Sequence, residues 1–473
     1  MCIRDRNNIL FRGVSDDGKR FKDRIEYHPT LFIPTKEETK FRTLEGKPVG
    51  KIQPGTMKEC KDFIAKYNEV DNFSIYGNDK FEFSFIAEHF PEEHIDYDFS
   101  QIRIAYLDIE VGSENGFPSI ENANEEVTAI TLKIDGKNYV FGRGEFVHER
   151  KDVFYFRFDS ERALLQKFFE MWDRESPDIV TGWNIETFDI PYLVNRAKRM
   201  FDEKKNPYRL LSPWKKVREY IMFGMGGKEL QAYAIMGVET LDYLSTYRKF
   251  TYINQESYRL DHIAYVELGE TKLDFSEVAT LHELYKKDFQ KFIEYNIQDV
   301  LLVDRLEKKL KLLELIISLA YLSKCNYTDV FAQTRMWDCI IYNHLLREKT
   351  VIPQKKKHSK GDMFEGAYVK APQTGRHEWI VSFDLNSLYP HLIMQYNISP
   401  ETIVGSWKDE IGVDGLVNRE FDTSVWKEKD ITVTPNGSVY RRDKQGFLPK
   451  LMEKMYNDRV TYCLLYTSPS PRD

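Results

Sequence analysis

The stretch Ala105-Tyr-Leu-Asp108-Ile-Glu110 constrains the fold of this chain more than any other. As part of a strand over 102–109 it sends Leu107 and Ile109 to one face, while Asp108 and Glu110, two positions apart, share the other. One face is made for a core; the other carries two adjacent carboxylates whose joint desolvation is costly. A divalent cation is the usual remedy, because hard Mg²⁺ or Mn²⁺ binds carboxylate oxygen. The surrounding pattern is α/β, with a second strand near 127–134, a helix over about 160–175 with Ser160 as its N-cap, and a strand at 178–181.

Two later segments offer partners for this acidic face. Gly182-Trp-Asn184-Ile-Glu-Thr-Phe188-Asp189-Ile-Pro191 follows the third strand and supplies Asn184 and Asp189. Tyr295-Asn-Ile-Gln-Asp299 puts a phenol and a carboxylate at i and i+4 on one face of a helical tract running from about 281 to 323. Read singly, Asp189 could cap the helix entered at Pro191, Asp299 could sit on a helix surface and Tyr295 in a core. Read together, Asp108, Glu110, Asp189 and Asp299 hold two metal ions for phosphodiester hydrolysis, and Tyr295 orients the attacking water.

Composition sets the frame. At roughly 150 residues per domain, 473 residues with 42% hydrophobic content point to about three packed domains. The 68 basic and 75 acidic residues leave a formal charge of −7, so nucleic-acid contact must come from local basic patches. Five scattered cysteines without a CxxC pair, and no secretory signal, fit a reducing cytoplasm and argue against structural zinc or a disulfide frame. The longest apolar stretch, about 313–322, is far short of the roughly 18 residues a membrane span needs, so no membrane partner is expected.

Residues 7 to about 100 read as short strands and turns of a small mixed domain, with a turn at Asp16-Asp17-Gly18 and a strand at 30–33 stopped by Pro34. A linker is placed at 353–366. Residues 379–383 then read as a buried strand ending at Asp384, with a helix starting near Leu388 and carrying Pro390 in its first turn.

In this order, the DIE, GWNxxxFDxPYL and YNxxDV segments resemble the three exonuclease motifs of family B replicative DNA polymerases. The resemblance implies metal ligands at Asp108, Glu110, Asp189 and Asp299, a water-orienting Tyr295, and a DNA-contacting Asn184. Asp384-Leu385-Asn386-Ser387-Leu388-Tyr389-Pro390, continued by Asn397-Ile-Ser-Pro-Glu-Thr402, is similar to polymerase motif A and nearest to its T-even-like tailed-phage version. It implies metal at Asp384 and Leu385 and nucleotide contacts at 385–389, with Tyr389 excluding a 2′-hydroxyl. Phe364-Glu-Gly366-Ala367-Tyr368 resembles the template-binding YxGG/A segment, with Phe for the usual Tyr, and Tyr456-Asn-Asp-Arg459 resembles the start of the fingers helix, whose Arg meets the triphosphate.

The implied architecture is α/β multidomain: an N-terminal domain (7–101 with 312–354), an RNase H-like 3′-5′ exonuclease domain (102–311), a partial palm (355–445) and the start of the fingers (446–462). The implied protein is a DNA-templated DNA polymerase with proofreading exonuclease, using two Mg²⁺ or Mn²⁺ ions per site. Its partners would be primer-template and single-stranded DNA, deoxynucleoside triphosphates, a sliding clamp and replisome proteins; its place, the bacterial host's cytoplasm if phage-encoded. A stand-alone exonuclease and an inactive single-strand-binding fragment are the alternatives. Motifs B and C are not found, which leaves exonuclease as the activity expected of this stretch. Met1-Cys-Ile-Arg-Asp-Arg6 can be encoded by ATGTGTATAAGAGACAG, whose reverse complement in another frame encodes Cys-Leu-Leu-Tyr-Thr, the sequence of 463–467. Residues 1–6 and 463–473 are therefore expected to derive from a sequencing adapter and stay outside the fold reasoning.

Overall fold

The computed structural model describes residues 2–467 apart from 6, 16, 68–69, 71–72, 113, 115, 117, 225–226, 279, 355–368, 370 and 408–410, with 2–5 and 463–467 described as backbone only. Phe364, Gly366, Ala367, Tyr368 and most of the expected linker lie outside the described residues. The chain forms two compact units, one of residues 1–31, 52–69 and 78–344, the other of 32–51, 70–77 and 345–473.

The first unit opens with an antiparallel meander of β1 (Cys2–Asp5), β2 (Asn8–Val14) and β3 (Arg20–Glu26). Two helices follow where the sequence reads as strands and turns: α1 (Met57–Tyr67) and α2 (Phe81–His89). In α1 a capping box is present, Thr56 N–H donating to Glu59 Oε2 (2.7 Å) and Glu59 N–H to Thr56 Oγ1 (3.4 Å). In α2 Phe81, Phe83, Phe85, Ile86 and Ala87 are all buried, so the helix has no polar face to reveal its period, and alternating Phe mimics a strand.

The centre of this unit is a six-stranded mixed sheet of β4 (Ile104–Val111), β5 (Val127–Ile134), β6 (Lys137–Gly142), β7 (Val153–Arg157), β8 (Ile179–Thr181) and β11 (Glu239–Thr240), in the order β7-β6-β5-β4-β8-β11. Every residue of β5 is buried, as for a strand covered on both faces. On one face Leu107, Ile109, Ile130 and Leu132 pack with α3 (Glu161–Glu175) and α4 (Asp189–Met200); on the other Ala129, Val140 and Val153 pack with the helices of 281–310. A hairpin of β9 (Val217–Phe223) and β10 (Glu229–Ile235) precedes β11. Ser160 caps α3, accepting from Ala163 N–H at 3.3 Å.

The tract expected as one helix is three: α7 (Leu281–Lys287), α8 (Phe289–Leu310) and α9 (Leu312–Ser323), following α5 (Tyr243–Phe250) and α6 (Leu260–Leu268). Asp288 restarts the chain by capping α8, accepting from Lys291 N–H at 3.0 Å, and Lys311 turns it through the left-handed region at φ 53°. Glu307 secures the second break, since its carboxylate accepts Leu313 N–H at 3.0 Å and the Tyr243 hydroxyl at 3.1 Å. Caps and αL residues leave the hydrophobic period intact, which is why the periodicity alone did not show the breaks.

The second unit holds a four-stranded sheet (Thr350–Val351, Phe41–Thr43, Pro48–Ile52, Leu31–Pro34) and a three-stranded one (Ile403–Ser406, Ser438–Arg441, Ile431–Val433), with α10 (Leu388–Tyr396) and α11 (Phe447–Thr467). Residues 379–383 do not form the expected buried strand: Trp379 is 97% and Phe383 88% exposed. An apolar run becomes a buried strand only when neighbours take its ladder and cover both faces. Among the described residues neither sheet of this unit does so.

Candidate active site

Pleating carries Asp108 and Glu110 to the sheet face covered by α8, opposite Leu107 and Ile109. Asp299 arrives from α8, and one carboxylate oxygen from each of Asp108, Glu110 and Asp299 lies within 4.8 Å of the others. Asn296, a turn from Asp299, is fully buried and donates from Nδ2 to Asp108 Oδ2 at 2.6 Å, while its Oδ1 accepts from Thr131, directly across the ladder from Asp108. Tyr295 points its hydroxyl to Lys272 Nζ, which donates to it at 3.0 Å and also contacts Asp299 Oδ2.

Asp189 falls outside this three-carboxylate grouping. It opens α4, but its carboxylate does not cap the helix: Oδ1 accepts Ile109 N–H, between the two acids of β4, at 3.0 Å. The close approach that permits this is at Gly182, where a Cβ would stand 2.3 Å from the Leu107 carbonyl oxygen. Asn184, in the left-handed region at φ 68°, is exposed, and its side chain accepts from Thr187 Oγ1 at 2.6 Å.

Burial, then the charges of Asp299, Glu110 and Asp189, hold the Asp108 carboxyl well above its ordinary range. Burial and Asp299 push Glu110 to about 8; burial pushes Asp189 to about 8 and raises Asp299, against the pull of Lys272. Lys272 is itself raised by Asp299 and Tyr295 despite its burial, and Tyr295 is raised by burial and Asp299. One ammonium does not balance this set. The Asp299 Oδ1 atom is buried with no hydrogen-bond partner among the described residues, so the donor set fits a divalent cation.

Sequence reasoning missed Lys272 and Asn296. Asn296 lies inside the Tyr295–Asp299 segment, where a buried amide beside two functional residues is a readable signal. Lys272 sits in a polar loop after α6, anchored by Lys272 N–H to Asp261 Oδ1 at 2.8 Å, and nothing in the local pattern separates it from a solvated lysine.

In the second unit Asp384, Leu385 and Tyr389 are exposed, and no hydrogen bond of the Asp384 side chain exists among the described residues. Arg459 Nη1 donates to Ser387 Oγ at 3.1 Å, and His391 of α10 meets Tyr456 of α11 edge to face, with centroids 4.7 Å apart. The Asn397–Thr402 segment clamps the start of α11. Asn397 donates to the Arg441 and Lys444 carbonyls (2.6 and 2.9 Å) and accepts Gly446 N–H (2.8 Å), while Glu401 accepts Phe447 N–H (2.6 Å).

Residues 51–263 match the exonuclease domain of DNA polymerase family B, and residues 327–465 match DNA polymerase family B itself. The DNA-directed DNA polymerase of Escherichia phage RB69 is 33% identical over 96% of this chain and 52% of its own length. That of Enterobacteria phage T4 is 34% identical, with the same shares. A DNA polymerase delta catalytic subunit of Candida albicans is 27% identical over 76% of the chain and 35% of its own length. The chain thus spans about half the length of the phage relatives. Among the described residues no helix is long and apolar enough to cross a membrane.

Proposed function

Because this chain belongs to DNA polymerase family B, in its T-even-like phage form, we propose that it carries the 3′-5′ proofreading exonuclease of a DNA-templated DNA polymerase. The exonuclease domain is read at 102–311, flanked by N-terminal pieces at 7–101 and 312–354, with the palm from 355 and the fingers from 446. The observation that carries the reading is the cluster of half-buried Asp108 with buried Glu110 and Asp299 beside Tyr295.

The substrate is the 3′ end of a DNA strand. Asp108, Glu110 and Asp299, with Asp189 behind them, would hold two divalent cations, Mg²⁺ or Mn²⁺. Bound cations supply Lewis acidity, making an attacking water more acidic and neutralising charge on the phosphate. The chain's own groups do the positioning. Tyr295, its oxygen already taken by the Lys272 ammonium, keeps its O–H proton to donate to and orient a water. Asn296 fixes the Asp108 carboxylate, and the Ile109 amide fixes Asp189. Water adds to the terminal phosphorus, the P–O3′ bond breaks, and a deoxynucleoside 5′-monophosphate leaves a 3′-hydroxyl behind.

The nucleotide site of the polymerase begins, in this reading, with Asp384, Leu385, Asn386, Ser387, Leu388, Tyr389 and Arg459; the Arg459–Ser387 hydrogen bond supports it by joining the motif A turn to α11. Deoxynucleoside triphosphates, primer-template DNA, a sliding clamp and replisome proteins are the partners it implies. The test is degradation of a 5′-labelled single-stranded oligonucleotide by the chain with Mg²⁺. A ladder shortening from the 3′ end, absent in Asp108→Ala with Glu110→Ala, is expected. Equal rates in both proteins would sink the site.

A further inference from the structure

All eight residues of β5 are buried, yet Thr128, Thr131 and Lys133 are polar. Ile130 and Leu132 pack on the side of α3 and α4, so Ala129, Thr131 and Lys133 share the opposite face, under α8. The antiparallel ladder sets these three against Glu110, Asp108 and Tyr106 of β4. Ala129, the smallest, leaves room beside Glu110. Lys133 donates to Asp304 of α8, a buried ion pair that ties strand to helix. Thr131, fully buried, donates its hydroxyl proton to Oδ1 of Asn296, which is fully buried as well.

Hydrogen-bond chemistry makes this last link directional. An ionised carboxylate only accepts, so toward Asp108 Oδ2 the Asn296 amide must turn its Nδ2, at 2.6 Å. Oδ1 of the same amide then faces away from Asp108 in a fully buried position, where it needs a donor. Thr131 is that donor. Valine at this position has nearly the same shape but no proton to give, and an orphaned Asn296 carbonyl would be relieved by turning the side chain, which takes Nδ2 off Asp108. The Lys133–Asp304 pair holds α8 over β5, so a shift of the helix does not restore the contact.

We propose that Thr131 is a positioning residue of the exonuclease site. Its hydroxyl locks the Asn296 amide in the orientation that presents Asp108 to divalent cations, and the affinity for those cations depends on that lock. The inference rests on the exonuclease reading, and deepens it by naming a residue outside all three motif segments on which the carboxylate cluster relies.

The test titrates the whole chain with Mn²⁺ and reads the free ion by electron paramagnetic resonance, counting only the binding that Asp108→Ala with Glu110→Ala abolishes. Thr131→Val should raise the Mn²⁺ dissociation constant about tenfold, and Thr131→Ser, which keeps the hydroxyl, should stay within about threefold of the parent. Hydrolysis of the 5′-labelled oligonucleotide supplies the second readout. In Thr131→Val the Mg²⁺ concentration for half-maximal rate should rise about tenfold while the rate at saturating Mg²⁺ falls less than about threefold, since Asp108 is then held without the amide. A residue that only packs would lower the unfolding temperature in EDTA and move neither metal readout. Thr246→Val is the control: it removes a fully buried hydroxyl of α5 that has no hydrogen-bond partner among the described residues, and should change neither.

Parent-like Mn²⁺ affinity and Mg²⁺ dependence in Thr131→Val overturn the proposal. So does a Thr131→Ser variant weakened as far as Thr131→Val, which would assign the effect to the methyl group. If circular dichroism shows Thr131→Val unfolded, Thr131→Ala against Thr131→Ser carries the comparison, because the two differ by one oxygen. Mn²⁺ binding about tenfold weaker in the alanine variant supports the lock, and equal binding overturns it. If the parent cuts no DNA while its Mn²⁺ binding depends on the Thr131 hydroxyl, the exonuclease reading fails and the role of Thr131 at the carboxylates stands.

Discussion

Glu110→Gln should stabilise the cation-free protein while destroying its hydrolytic activity, and the size of the gain follows from the structure. Glu110 is 9% exposed, and burial and Asp299 hold its carboxyl at about 8 against an ordinary 4.5. Folding therefore favours the protonated form: the contribution of this group is complete below pH 4.5 and is lost as pH rises through about 8. At pH 7 an ionisable Glu110 costs the folded state about 3 kcal/mol relative to a neutral isostere, from 1.36 kcal/mol per unit over the 2.5 units between 4.5 and 7. At pH 4.5 the difference shrinks to about 0.4 kcal/mol. Its carboxylate has no hydrogen-bond partner among the described residues, so glutamine forfeits no bond. Scanning calorimetry in EDTA should show the unfolding transition of this unit roughly 6–12 °C higher in the variant at pH 7, and nearly coincident with the parent at pH 4.5. Adding Mg²⁺ at pH 7 should raise the parent and move the variant little. A variant less stable than the parent at pH 7, or a gain independent of pH, would refute the electrostatic account of the cluster.

Three further outcomes test neighbouring parts of the reasoning. Lys272→Met removes the ammonium that contacts Asp299 and Tyr295, and urea unfolding in EDTA should show a loss of about 3–5 kcal/mol, partly restored by Mg²⁺; equal stability would mean the pair is not the counterweight drawn here. Tyr295→Phe should keep the fold within about 1 kcal/mol but slow release of the 3′-terminal nucleotide at least tenfold, read by rapid-quench assays with saturating Mg²⁺. Asn397→Ala removes three hydrogen bonds at the start of α11, and hydrogen exchange should show the amides of residues 446–451 opening about 2–3 kcal/mol more easily, with the amides of β4 unaffected.

The parts that were legible in the sequence are those where side-chain period and chemistry agree. The β4 segment declares its two faces because alternation and charge coincide, and Tyr295 and Asp299 share a helix face by spacing alone. Lys272 was not legible, since it reaches the cluster from an irregular loop and only tertiary packing selects it. Residues 379–383 show the opposite failure: composition announces a buried strand, yet burial is a property of neighbours. Helix α2 hid because a helix buried all round lacks the polar face that marks its period. The Asn397–Thr402 segment resembles the continuation of polymerase motif A, but the work of its side chains at the start of α11 is a use that no local pattern announces, because the bonded groups lie about 45 residues on.

Three of the four acids drawn from distant segments are held by protein donors. The Ile109 amide holds Asp189, the Asn296 amide holds Asp108 and the Lys272 ammonium holds Asp299. Each anchor comes from a different part of the chain from the acid it fixes, Lys272 reaching α8 from a loop, so the positions are set by the packing of β4, α4, α8 and that loop before any cation enters. Glu110 is the exception, buried and with no hydrogen bond to its carboxylate from its neighbours. A cation arriving at this cluster would meet three carboxylates already oriented and one that no protein donor holds. All four carboxyls are raised, but Glu110 alone is raised without a protein hydrogen bond. That combination explains why neutralising Glu110 alone should separate stability from activity, and why the same change at Asp189 or Asp299, each of which would give up an anchor, should not.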